Sequence, residues 1–235
     1  MKVLFDNCIR QDAIRGEYVL PEERSLRVIY RPRPKRNDWK QKEIDHLGTI
    51  AGLCQRKKII PYITEELEVE EFRILPWPSP NYKDLFADIK FKKAQCPIRR
   101  SKWGLSLDQY IDKEDIIKYC KCFFLTPSLE RTEKFIGGMR HNPTINLSEF
   151  EEKCLRRSHI FKQICHGINE KHFPDALHLW TAEENGLDVF LTTDKKFKNV
   201  MARQRVDLKC IVMFPSELIN VINGGAALGN PRADA

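Results

Sequence analysis

The sequence predicts an α/β fold built on a mainly parallel sheet. Three observations lead there. Apolar runs of strand length, at residues 2–5, 58–64, 188–193 and 210–214, alternate with segments whose apolar residues recur every three or four positions. The breaks between them carry helix and turn punctuation, such as Asn185-Gly186 and Pro215-Ser216. Of the 235 residues 42% are hydrophobic, which is enough for a real core.

Each element follows from its local residues. Lys2-Val3-Leu4-Phe5 is a short buried strand ending at Asp6, and a polar helix start follows. Residues 21–38 hold Pro21, Pro32 and Pro34 among charges, so they are expected to be extended or loop-like. From Trp39 to about Arg56 the residues Ile44, Leu47, Ile50, Ala51 and Cys54 mark one helix face. Residues 58–64 read as the second strand, with Pro61 favouring an edge position or a split there. Thr64 is placed to cap the helix from Glu65 to about Arg73. Between Pro76 and Leu147 the pattern turns irregular, apart from a helix over 108–124, and reads as an insertion in a single domain of residues 1–225. Residues 148–170 return to helical spacing. Pro174 and Asp175 open a helix that Asn185-Gly186 stops. A strand over 188–193 ends at Asp194, a strand over 210–214 follows, and Pro215 starts the last helix. Residues 226–235 read as a flexible tail.

Composition narrows the class of function. Mean hydropathy is −0.48, and no apolar run reaches the ~20 residues of a membrane span. Asp6 breaks the apolar start too early for a secretory signal. A soluble, cytoplasmic protein is expected. Eight scattered cysteines indicate reduced thiols, and Cys120, Cys122, Cys154, Cys165 and His166 fit no strong zinc spacing. Net charge is +7 and unevenly spread. Residues 24–42 carry eight basic side chains, among them Arg31, Arg33, Lys35 and Arg36, against one acid. Residues 90–102 carry six, among them Lys92, Lys93, Arg99 and Arg100, and no acid. Such clusters draw polyphosphate by charge and counterion release, or else form a solvated face.

The acids carry the chemistry. Asp6 and Asp194 each follow a strand, and in parallel sheets ligands gather outside the carboxyl ends of the strands. Any one of them has an ordinary role as a helix cap. Asp6, Asp175 and Asp194 together at one edge would repel unless a cation lay between them. Oxygen ligands suit Mg²⁺ or Mn²⁺, either of which acidifies a bound water and offsets charge on an attacked phosphate. The sequence holds no Walker-type loop and no Gly-x-Gly-x-x-Gly.

The block from Asp175 to Phe197, DALHLWTAEENGLDVFLTTDKKF, resembles the helix with a leading Asp and the strand ending Thr-x-Asp-x-x-Phe of PIN-domain nucleases. The opening Met1 to Ile9 is similar to that family's first strand, and Ile211 to Leu218 to its last strand and helix. The likeness covers the two ends of the chain, about half of it, and leaves the middle unmatched. It implies a three-layer α/β/α fold, a bound Mg²⁺ or Mn²⁺, and hydrolysis of phosphodiester bonds, most often in single-stranded RNA. It also implies that Asp6, Asp175 and Asp194 hold the metal and that an acid on the helix after the second strand joins them. Counted from Thr64 that acid is Glu70, with Glu68 and Glu71 as rivals, since five of residues 65–71 are glutamates. Asn7 and Cys8 depart from the family's Thr-Asn after the first Asp, which bears on an accessory hydrogen bond. Thr192 and Thr193 are retained and expected to orient a water or Asp194. His178, one helical turn from Asp175, is either a packed core histidine or a group facing substrate. Expected partners are RNA, an inhibitory protein if the chain is the toxin of a toxin–antitoxin pair, and a second copy as a homodimer. A host-defence role, a structure-specific DNA nuclease, and a non-catalytic binding or scaffolding protein are the alternatives.

Overall fold

The computed structural model describes residues 1–14, 16–19, 29–32, 38–68, 84–99, 113–125, 128–140, 146–204 and 206–224. Glu70, Glu71, Arg33, Lys35, Arg36, Arg100 and the 226–235 tail lie outside them.

Five strands form a parallel sheet, four of them from the apolar runs: β1 (Lys2–Phe5), β4 (Ile60–Thr64), β5 (Lys92–Ala94, from the basic stretch), β6 (Val189–Leu191) and β7 (Ile211–Met213), in the spatial order β5-β4-β1-β6-β7. β1 is central, pairing Leu4 with Tyr62 on one side and with Phe190 on the other. A separate antiparallel hairpin joins β2 (Gly16–Val19) to β3 (Ile29–Pro32). Arg31 lies in β3, opposite Glu17.

Side chains alternate across the sheet with the strand period of two. Val3, Phe5, Val189, Leu191 and Met213 face one apolar cluster, closed by α1 (Asn7–Ala13), α3 (Leu47–Gln55) and α10 (Pro215–Ile222) through Ile9, Leu47, Ile50 and Leu218. Leu4, Ile63 and Phe190 face the other, closed by α4 (Lys113–Cys120), α7 (Ser158–Cys165) and α8 (Phe173–Glu184). Helices thus cover both faces of the sheet. The second cluster centres on Phe124, Phe161 and Trp180, all fully buried, with Phe124 and Trp180 edge to face at 4.9 Å. Such a pair adds roughly 0.5–1.5 kcal/mol beyond its burial.

The structure refines several sequence expectations. The helix expected from Trp39 to Arg56 is two, α2 (Asp38–Asp45) and α3, parted at His46. The helix expected at 148–170 divides at Arg157 into α6 (Glu149–Arg156) and α7, followed by a 3-10 turn at Glu170–His172. Pro61 does not put β4 at an edge. The Ile60 N–H donates to the Met1 carbonyl, so the proline nitrogen points away from β1, and β5 joins only at Tyr62, opposite Lys92. No ladder bond is lost there. The stretch read as an insertion supplies β5 to the sheet and Ile116, Tyr119, Phe124 and Ile136 to the core, the last from α5 (Leu129–Arg140). No helix among the described residues is long and apolar enough to cross a membrane.

Candidate functional site

The chain runs from β1 outward to β4 and β5 on one side, and from β6 to β7 on the other. The strand order therefore reverses between β1 and β6, which opens a crevice at their carboxyl ends. Asp6 follows β1 directly and Asp194 lies three residues beyond Leu191, the last residue of β6. Both also act as helix caps. Asp6 is the N-cap of α1 and accepts from the Asn7 N–H at 2.7 Å. Asp194 is the N-cap of α9 (Lys195–Arg203), its Oδ1 accepting from the Lys196 and Phe197 N–H groups at 2.8 and 3.0 Å.

Capping does not account for what surrounds them. Thr192, fully buried, donates to Asp6 Oδ2 at 2.6 Å and accepts from the Asp194 N–H at 2.9 Å, so one hydroxyl ties the two acids together. The Cys8 thiol donates to the same Asp6 oxygen at 3.0 Å and accepts from the Thr193 N–H at 3.1 Å. Burial, and then the Asp6 charge, push that thiol well above its ordinary range. Thr193 donates to Asp12 Oδ2 at 2.8 Å, and Asp12 also pairs with Lys40 at 3.0 Å. The threonines therefore serve Asp6, Asp12 and the Asp194 backbone. Asn7 is buried in α1, the next residue along from Asp6.

The third acid comes from across the crevice. Pro174 sits in the first turn of α8, where its missing N–H costs nothing, and Asp175 follows in the same turn. His172, just before this helix, brings Nδ1 within 3.0 Å of Asp175 Oδ2. Ligand atoms of His172, Asp175 and Asp194 lie within 4.8 Å of one another, the one such group of His, Cys, Asp or Glu among the described residues. The Asp175 carboxyl is pushed up to about 6, first by burial and then by the Asp6 charge, with a smaller push from Asp194; the His172 hydrogen bond and His178 pull the other way. Asp175 thus lies in the field of both strand-end acids. His178 is buried in the same helix, one turn further in.

The remaining expected residues lie elsewhere. Glu68, in the helical turn after β4, pairs with Lys93 of β5 at 2.6 Å. Lys92 and Lys93 are exposed on β5, two strands from β1 and so roughly 10 Å across the sheet. Arg99 is exposed, its N–H donating to Glu151. Sequence reasoning missed His172 and Asp12. The signal for His172 was its i,i+3 spacing to Asp175, His172 being the residue just before the helix begins. Asp12 carried no signal, because its partners Thr193 and Lys40 are remote in sequence.

The donor set could hold a metal ion. It is rich in carboxylate oxygen with one imidazole, and its acids stand close enough to raise the carboxyl at its centre. No family model matches this chain, and no curated protein or solved structure matches it either.

Proposed function

We propose that this protein is a Mg²⁺- or Mn²⁺-dependent nuclease that hydrolyses phosphodiester bonds in single-stranded RNA. One observation carries the reading: Asp175 of α8 and Asp194 beyond β6 draw together with His172 near the switch point of the sheet, where the charge of Asp6, just after β1, also reaches Asp175. The resemblance of residues 175–197 to PIN-domain nucleases supports it. Asp6, Asp175 and Asp194 would hold the ion, with His172 in reach of the last two. When bound, it supplies a more acidic water and positive charge for the attacked phosphate.

The chain's own groups prepare that site. Thr192 and the Asn7 N–H fix the Asp6 carboxylate from both of its oxygens. The first turn of α9 fixes Asp194. His172 orients Asp175. Fixing ligands before the ion arrives is what second-sphere hydrogen bonds do in metal sites.

Labelled single-stranded RNA and DNA, incubated with Mn²⁺, Mg²⁺ or EDTA, test the proposal. Cleavage that requires metal and is lost in Asp6→Asn and Asp194→Asn is the expected result, with RNA preferred. Cleavage at the wild-type level by both variants would overturn the site. Metal-independent binding without cleavage would favour a binding protein.

A further inference from the structure

Beside the acids lies a second cluster that the cleavage chemistry does not use. Glu43, buried in α2, accepts from the Ser216 N–H at 2.9 Å and the Ser216 hydroxyl at 2.8 Å. That clamp draws α2 against the start of α10. It brings Trp39, in the first turn of α2, onto Phe214, the residue just before α10, with ring centroids 4.9 Å apart and planes at 72°. Both rings remain partly exposed. Lys195 Nζ stands 5.1 Å from the centre of the Trp39 ring, and Lys198 Nζ 4.3 Å from that of Phe214. Lys198 is also paired with Glu217. Lys195 and Lys196 are exposed.

The position of this cluster matters as much as its composition. Lys195 is the residue after Asp194. Lys40, next to Trp39, pairs with Asp12, which is bonded in turn to Thr193. The first turn of α2 holds Asp38, the half-exposed Trp39 and Lys40, and Lys195 of α9 reaches the tryptophan ring from outside that helix. A strand of nucleic acid needs cations for its phosphates and a flat apolar face for its bases, since single-strand sites combine charge with aromatic stacking.

We propose that Trp39 and Phe214, with Lys195 and Lys196, form a stacking subsite for the base of a nucleotide flanking the phosphate held at the acids. This rests on the nuclease reading for its position beside the acids. It explains a preference for single strands, because a base paired in a duplex presents no free face to Trp39. The subsite selects an unpaired base without reading its identity.

The test is binding of short fluorescent RNA strands to the full chain in EDTA, measured by anisotropy. An abasic strand of equal length supplies the same charge without bases. The wild type is expected to bind the base-bearing strand about tenfold more tightly than the abasic one, the size of one stacked base. Trp39→Ala should remove that difference, and Trp39→Phe should keep most of it. Lys195→Ala should weaken both strands alike and lower the salt dependence by about one counterion. Thermal unfolding checks that each variant is folded. A folded Trp39→Ala with the wild-type preference overturns the subsite. So does equal loss in Trp39→Phe, or failure of the wild type to bind either strand, which would leave this face to a protein partner. Cleavage in Mn²⁺ is scored separately. Cleavage whose KM ignores Trp39 sinks the subsite alone, whereas Trp39-dependent binding without cleavage sinks the nuclease alone.

Discussion

The two ends of the central strands treat acidic residues in opposite ways. At the amino end, Asp188 precedes β6 and accepts from the Lys2 N–H at 2.7 Å, while the Asp188 N–H donates back to the Lys2 carbonyl. Glu183 nearby accepts from the Lys209 and Cys210 N–H groups at 2.9 and 2.8 Å. Each acid there accepts from backbone N–H groups beside a strand. At the carboxyl end, Asp6 and Asp194 complete backbone groups too, but Asp175 is set against them and pays in raised proton affinity. Acids that only close a sheet can be placed apart. Acids that crowd raise one another's proton affinity.

Substitutions can break or sharpen this contrast. The largest effect is expected for Asp194→Asn, which should lower metal-dependent cleavage by about a thousandfold, the several kcal/mol that a misplaced metal forfeits. Asp188→Asn, at the other end, should leave cleavage within about twofold, since an amide oxygen still accepts from Lys2. Comparable losses in both variants would erase the distinction.

Next comes Thr192→Val, which keeps shape but removes the hydroxyl between Asp6 and Asp194. The residue is fully buried, so water cannot replace the bonds, and urea unfolding should show a loss of about 1–3 kcal/mol.

Asp175→Asn should have the opposite sign. A carboxyl raised from 3.8 to about 6 favours the folded state when protonated and disfavours it when ionised. Metal-free protein therefore loses stability from this group as pH rises from about 4 through 6. In EDTA at pH 7.5 Asp175→Asn should be more stable than wild type by about 1–2 kcal/mol, reduced from the full linkage value because 28% of the side chain reaches solvent. The gap should close below about pH 4. Added Mn²⁺ should reverse the order by stabilising wild type through binding. The smallest effect belongs to Asp188→Ala, under about 1 kcal/mol, because solvent reaches its partner.

What the sequence disclosed follows the same division. β1, β4, β6 and β7 were legible because strands inside a covered parallel sheet are mostly apolar, and Asp6 and Asp194 were legible as acids shortly beyond the ends of β1 and β6. β5 was not. Its Lys-Lys-Ala, two residues of which are exposed, reads as part of a basic stretch because an edge strand carries charge. The break at His46 was hidden because apolar residues keep helical spacing across it. Asp175 announced itself through Pro174, but its closeness to Asp6 depends on packing between α8 and the sheet, which no local pattern encodes.

The pairing of β1 with β6 has a consequence for synthesis. Asp6 and its hydroxyl partner Thr192 are 186 residues apart. At ribosomal speeds of about 5–20 residues per second, roughly 10–40 s separate the appearance of the first from that of the second. Throughout that interval β1 lacks a neighbour on one side and the three acids have not met. The acidic edge therefore comes into being only after β6 has been made and has paired with β1.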